Sequence, residues 1–140
     1  MEHCIVYFSS SADPLDENEL AAILEQSRQN NRKLGVTGVM LYVRGSIVQV
    51  LEGAKQAVDA LFERIQHDNR HTDVVTVLNR PISQRQFGNW SMGYETLTVR
   101  QLEELKAIVD LDDPNGAGSQ NNDPILLRLI KVFYDSNRYN

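Results

Sequence analysis

Apolar residues fall into short blocks separated by turn-forming clusters. Residues 3–9 (HCIVYFS) are closed by a Ser/Asp/Pro cluster and predict a first strand. Asp16 opens Asp-Glu-Asn-Glu, a capping box in which Asp16 caps a helix and Glu19 reaches back. Leu20, Ile23, Leu24, Ser27 and Asn31 then recur at helical spacing on one face, and Gly35 ends the helix. Two strands follow, 36–43 and 46–52, joined by a tight turn at Arg44-Gly45. A second helix starts near Lys55, with Val58, Leu61, Phe62 and Ile65 on one face. A fourth strand over 73–79 is predicted to end before Pro81, and a fifth to run from Ser91 to Leu97. Thr98-x-x-Gln101 caps a third helix reaching Val109, and the Pro-, Gly- and Asn-rich stretch 110–123 reads as a flexible linker. Asp123-Pro124 then supplies a cap and a first-turn proline for a last helix over 125–136.

The order βαββαβ, with a fifth strand and a C-terminal helical pair, predicts an α+β, ferredoxin-like sheet with two helices on one face. In that arrangement the first and third strands are expected to be parallel neighbours at the sheet centre. The last helix carries Ile125, Leu126, Leu127, Leu129, Ile130, Val132 and Phe133, too many for one narrow stripe. Either all of them complete the core, or one face covers the sheet and another meets a partner subunit.

Composition narrows the function. The chain has 140 residues, 14 Lys plus Arg against 19 Asp plus Glu, and a formal net charge of −5, without a Lys/Arg run. That balance argues against a general nucleic-acid binder, which needs a cationic surface to release counterions. No apolar stretch approaches the ~18 residues of a spanning helix, and the N-terminus lacks a signal-peptide pattern, so a cytoplasmic domain off the membrane is expected. Cys4 stands alone, and His3, His67 and His71 lack metal-ligand spacing, so neither a disulfide nor a metal site is expected. There is no G-x-G-x-x-G, no Walker lysine motif and no nucleophile elbow around Ser9-Ser10-Ser11. Hydrolytic and redox-enzyme constellations are absent, and a small ferredoxin-like phosphatase would lack a phosphate cradle after the first strand.

The informative positions are polar residues where apolar ones belong. Alternation puts Gln49 on the same face as Ile47 and Leu51, where a buried amide needs partners for both its ends. The assumed topology brings Tyr7 beside it. Ser27 and Asn31 lie on the inward face of the first helix, with Asn30 adjacent, and Arg64 and Asp68 are one turn apart on the second. Taken singly, each has a structural explanation: a core Tyr–Gln hydrogen bond, a fraying helix end, a surface ion pair. Together, Tyr7, Ser27, Asn31, Gln49 and Arg64 would line a slot walled by Ile23 and Ile65, suited to a flat heteroaromatic ring with imide-like edges.

Over about residues 3–98 the chain resembles the BLUF family of blue-light receptors that use flavin. The matching residues are Tyr7; Asn30-Asn31 with Gly35-Val-Thr-Gly38; Gln49-Val-Leu-Glu-Gly53; Arg64-Ile65-x-x-Asp68-Asn-Arg-His71; Pro81-Ile82; and Phe87-x-x-Trp90-Ser-Met92-Gly93. The resemblance implies a noncovalently bound oxidised flavin, FAD in the first place, with FMN or riboflavin as alternatives. It implies that Asn31 hydrogen-bonds the flavin carbonyl and imide edge with Asn30 in support, and that Gln49 lies beside N5 and the C4 carbonyl. Tyr7 would donate an electron and a proton after excitation, rearranging the hydrogen bonds of Gln49. Arg64 and Asp68 would surround the pyrimidine end and ribityl chain, Arg70 and His71 would lie toward the tail, and Ile23 and Ile65 would sandwich the ring. Trp90 and Met92 match the fifth-strand pair that couples the glutamine to the surface; two residues apart, they are expected to share a strand face. Phe8 departs from the pattern, in which a small or polar residue often follows the tyrosine. Facing away from Tyr7, it is expected to affect packing or assembly.

The resemblance divides the chain into a flavin-binding core, 1–98, and a helical cap, 99–140. With no effector domain visible, the expected function is non-enzymatic signalling to a protein partner or within a homo-oligomer. The alternative is a light-insensitive module that binds flavin or another heterocycle.

Overall fold

A computed structural model describes residues 2–11, 15–68, 71–111 and 124–137. Its elements in chain order are β1 (Glu2–Ser11), α1 (Glu17–Leu34), β2 (Thr37–Val43), β3 (Ser46–Ala54), α2 (Lys55–Gln66), β4 (His71–Ile82), β5 (Gly93–Thr96), α3 (Val99–Leu111) and α4 (Pro124–Asn137). Local chemistry sets most of their ends. The Asp16 carboxylate accepts the Glu19 N–H at 2.7 Å while Glu19 reaches back to the Asp16 N–H at 3.5 Å, and Gly35 closes α1 with φ 68°. Thr98 and Gln101 form the same reciprocal pair ahead of α3. Residues 110 and 111, expected in the linker, complete α3; the rest of that linker and the Asp123 cap lie outside the described residues.

The sheet order is β4-β1-β3-β2-β5. β1 and β3 are neighbours as expected, but antiparallel, not parallel. The α1 crossover makes β1 and β2 run the same way, and β3, hairpinned back from β2, lies between them and opposes both. β5 joins β2 in parallel. β4 runs through Pro81 to Ile82 instead of ending before the proline. As an edge strand it has one side without a ladder, so a missing N–H is tolerated there.

Alternation along the strands builds two cores. Ile5, Tyr7, Met40, Ile47 and Leu51 face α1 and α2, which contribute Ile23, Leu24, Val58, Leu61 and Phe62. Cys4, Val6, Val39, Leu41, Val48 and Val50 face the other way, under Leu102 and Leu105 of α3 and Ile125, Leu129, Val132 and Phe133 of α4. Those four α4 residues form one buried stripe and Ile130 is half-buried beside it; the side chains of Leu126 and Leu127 lie outside the described residues. Among the described residues, no helix is long and apolar enough to cross a membrane.

Candidate functional site

Tyr7 and Gln49 stand opposite each other in the β1–β3 register, on the face covered by α1 and α2. Both are buried, at 0% and 2% exposure. The Tyr7 hydroxyl donates to Gln49 Oε1, and Gln49 Nε2 donates to the Met92 sulfur at 3.4 Å. The amide therefore has its acceptor end on a phenol and its donor end on a soft, weak acceptor. Burial pushes the Tyr7 phenol far above its ordinary value of 10, and the negative charge of Asp68 adds to the shift. Burial thus favours the neutral, hydrogen-bond-donating form of Tyr7. Its ring leans on Phe62, with centroids 5.2 Å apart.

In front of Gln49 lies a cleft of about 250 Å³ between α1 and α2. α1 contributes Ile23, Ser27, Asn30 and Asn31; α2 and its end contribute Arg64, Ile65 and Asp68. Tyr7 is not on the cleft wall, contrary to the expected slot, because it sits behind Gln49 and under Phe62. Arg70 and the side chain of His71 lie outside the described residues. Gln26, Met40 and Leu61 complete the lining. None is a site candidate in the sequence reading, although two carry a signal: Met40 is the register partner of Gln49, and Leu61, on the apolar face of the second helix, precedes Ile65 by one turn.

Asn31 gives the cleft its chemical character. It is 1% exposed, its Nδ2 donates to the backbone carbonyl of Ser91, and its Oδ1 has no partner among the described residues. A buried acceptor left alone costs about 1–3 kcal/mol, so the cleft favours a ligand that brings an N–H to this oxygen. Apolar walls from Ile23 and Ile65, with amides at the edge, fit a planar ring bearing an imide. The volume lies near the lower end for small-molecule pockets (~300 Å³ and up), enough for one ring system, with any longer tail outside.

Trp90 and Met92 do not share a face. They precede β5, in a stretch of bends to which strand alternation does not apply. Met92 is buried in the core beneath α1 and α2, whereas Trp90 packs on the opposite core, edge-on to Phe133 at 5.3 Å. It is Met92 that touches Gln49. Phe8 points away from Tyr7 and lines a separate hollow of about 310 Å³ with Val75, Val77 and Leu102. Among the described residues, no group of three or more His, Cys, Asp or Glu could hold a metal.

Known proteins resemble this chain in sequence and in fold. Residues 3–93 match the model of the BLUF family, described as sensors of blue light using FAD. The chain is 39% identical over 136 residues to photoactivated adenylate cyclase subunit beta of Euglena longa, covering 96% of this chain but only 14% of that protein. Among solved structures, the BLUF protein BlrB in its dark state superposes with a TM-score of 0.72 at 28% identity, over 96% of each chain. A bacterial light-regulated adenylyl cyclase superposes with a TM-score of 0.66 at 27% identity, over 99% of this chain and 35% of its own. With a family match over most of its length and the same βαββαββ sheet beneath the cleft, the chain belongs to the BLUF family of flavin-based blue-light sensors.

Proposed function

We propose that this chain senses blue light through Tyr7, Gln49 and Met92, with FAD held in the α1–α2 cleft and no catalytic turnover of its own. The supporting observation is the continuous Tyr7–Gln49–Met92 hydrogen-bond chain beside a cleft whose buried Asn31 oxygen lacks a donor among the described residues. Asn31, with Asn30, holds the imide edge of the ring, Ile23 and Ile65 sandwich it, and Ser27, Arg64 and Asp68 carry the polar end. Arg70 and His71 follow toward the tail. A bound oxidised flavin supplies the blue absorption and, once excited, a strong electron acceptor.

The chain's own part is proton and hydrogen-bond management. Tyr7 gives up an electron, and its phenolic proton leaves along the bond to Gln49; return of both restores the tyrosine. Gln49 is left in a different hydrogen-bonding arrangement, by rotation or tautomerisation. Rotation turns the amide oxygen toward the Met92 sulfur, where two acceptors face each other. Each hydrogen bond exchanged is worth about 0.5–1.5 kcal/mol net, enough to shift Met92 between two positions. The segment carrying Met92 then passes the change to Trp90 and α4, and from there to a protein partner or a second copy of the chain. In this reading residues 1–98 form the sensing unit and 99–140 the helical cap.

The test is the light-minus-dark absorption difference of the purified, cofactor-loaded protein. A small, reversible red shift is expected, lost in Gln49→Leu and in Tyr7→Phe. Bound flavin without a light response would make the chain a passive flavin carrier, and a shift that persists in either variant would remove that residue from the mechanism.

A further inference from the structure

β4 and β5 lie on opposite edges of the sheet, so the segment 83–92 must cross the sheet's end, where β1 and β2 begin and β3 finishes. Three bonds to its backbone carbonyls anchor its far part, besides the Gln49 bond to the Met92 sulfur. The Gly38 N–H donates to the Trp90 carbonyl at 3.0 Å, Asn31 Nδ2 to the Ser91 carbonyl, and Arg28 Nε to the Met92 carbonyl at 3.1 Å. In its near part, Glu52 and Arg85 make the contacts to the sheet. Glu52 of β3, 0% exposed, takes the Gln86 N–H on Oε2 at 2.7 Å and the Phe87 N–H on Oε1 at 2.8 Å. Arg85 beside it spans to Glu2 at 2.9 Å and to Thr37 Oγ1 at 3.3 Å.

Glu52 is three residues beyond Gln49, so alternation places it on the opposite face of the sheet, outside the cleft. A carboxylate buried among apolar strands is costly unless both oxygens are satisfied. Here each oxygen takes one of two successive backbone N–H groups. Glutamine cannot reproduce this arrangement, because its NH₂ would face a second donor, and aspartate is one methylene too short.

We propose that Glu52 is a positioning residue of the light response: by pinning Gln86 and Phe87 from the far side of the sheet, it sets where Met92 sits against Gln49. The light-response part of this rests on the function proposed above; the placement of Met92 does not. The chain has three methionines, so methyl-¹³C-methionine NMR of the dark, cofactor-loaded protein reads Met92 directly, with Met40, the register partner of Gln49, as an internal control. In Glu52→Gln the Met92 methyl should shift or split while Met40 stays in place. Thermal recovery after illumination should change by about threefold or more, less than the tenfold that about 1.4 kcal/mol on a barrier would give. If Glu52→Gln does not fold, Glu52→Asp, which keeps the charge but loses the reach, should show the same pair of effects. An unmoved Met92, a change shared equally by Met40, or recovery indistinguishable from the parent's would overturn the proposal. A parent protein with no light response would instead sink the photochemical reading, leaving the Met92 comparison to decide the placement.

Discussion

Through Phe133, α4 meets two aromatic rings of the crossing segment, and the loss of this side chain can be worked out in advance. The ring is fully buried, lies edge-on to Phe87 at 5.7 Å and Trp90 at 5.3 Å, and sits directly over Gly93. Phe133→Ala removes a whole core ring, a change of about 3–5 kcal/mol that includes ~0.5–1.5 kcal/mol for each aromatic pair. Against the ~5–15 kcal/mol of an ordinary domain, the variant should remain folded but melt roughly 10–20 °C lower. Gly93→Ala probes the same contact from the other side. Its new Cβ would lie 2.7 Å from Phe133 Cζ, 3.0 Å from Cε2 and 3.1 Å from Val39 Cγ1, overpacking that should cost about 1–3 kcal/mol. In a Phe133→Ala background the methyl enters vacated space, and of these three contacts the one to Val39 remains. The two changes should therefore be non-additive by about 1 kcal/mol or more in a double-mutant cycle. Urea denaturation of the four proteins, followed by far-UV circular dichroism, supplies the numbers. Strictly additive costs, or a Phe133→Ala cost under ~1 kcal/mol, would refute this account of how α4 is attached.

Three further outcomes follow from the local geometry. Burial raises the Glu52 carboxyl above its ordinary 4.5, against the pull of the Gln86 and Phe87 N–H groups and Arg85, and with a small addition from Glu2. Its stabilising share is fully present below about pH 4.5 and is lost as pH rises through the folded-state value, about 1.4 kcal/mol per unit of separation. The stability of the parent relative to Glu52→Gln should thus fall across that window, and a flat difference from about pH 4 to 8 would contradict the shift. Asp16→Ala removes half of the α1 capping box and should cost ~1 kcal/mol in denaturant unfolding, with no loss of the cleft. Gly38→Ala would set a methyl 1.9 Å from the Val50 carbonyl oxygen, a backbone clash between β2 and β3. It should cost more than ~3 kcal/mol and leave little folded protein by circular dichroism.

What could be read in the sequence was local or periodic. The Asp16 box, the Gly35 stop and the Thr98–Gln101 pair depend on neighbours within a turn, and each is in place. Gln49 was legible because strand parity put an amide among apolar residues, and Tyr7 because the topology made it a cross-strand neighbour. Strand direction is not a local property: the crossover makes β1 parallel to β2, not, as expected, to the β3 that lies between them. Trp90 and Met92 fall on different faces because strand alternation does not reach into the bends, where the chain turns between them. Glu52 carried the same signal as Gln49, a polar residue in parity with Val48 and Val50, but its partners lie more than thirty residues away in a segment with no period.

The length of that segment has its own consequence. A five-strand sheet is only about 19 Å across from edge strand to edge strand, whereas the ten residues from 83 to 92 can reach about 33–36 Å when extended. The surplus contour lets the chain dip below the sheet to seat Trp90 on Phe133 and rise above it to seat Met92 on Gln49. A chain cut to the minimum span would run straight along the sheet's end and reach neither core. Deleting three or four residues from this connection would leave β4 and β5 still joinable, yet would uncouple the two faces of the molecule.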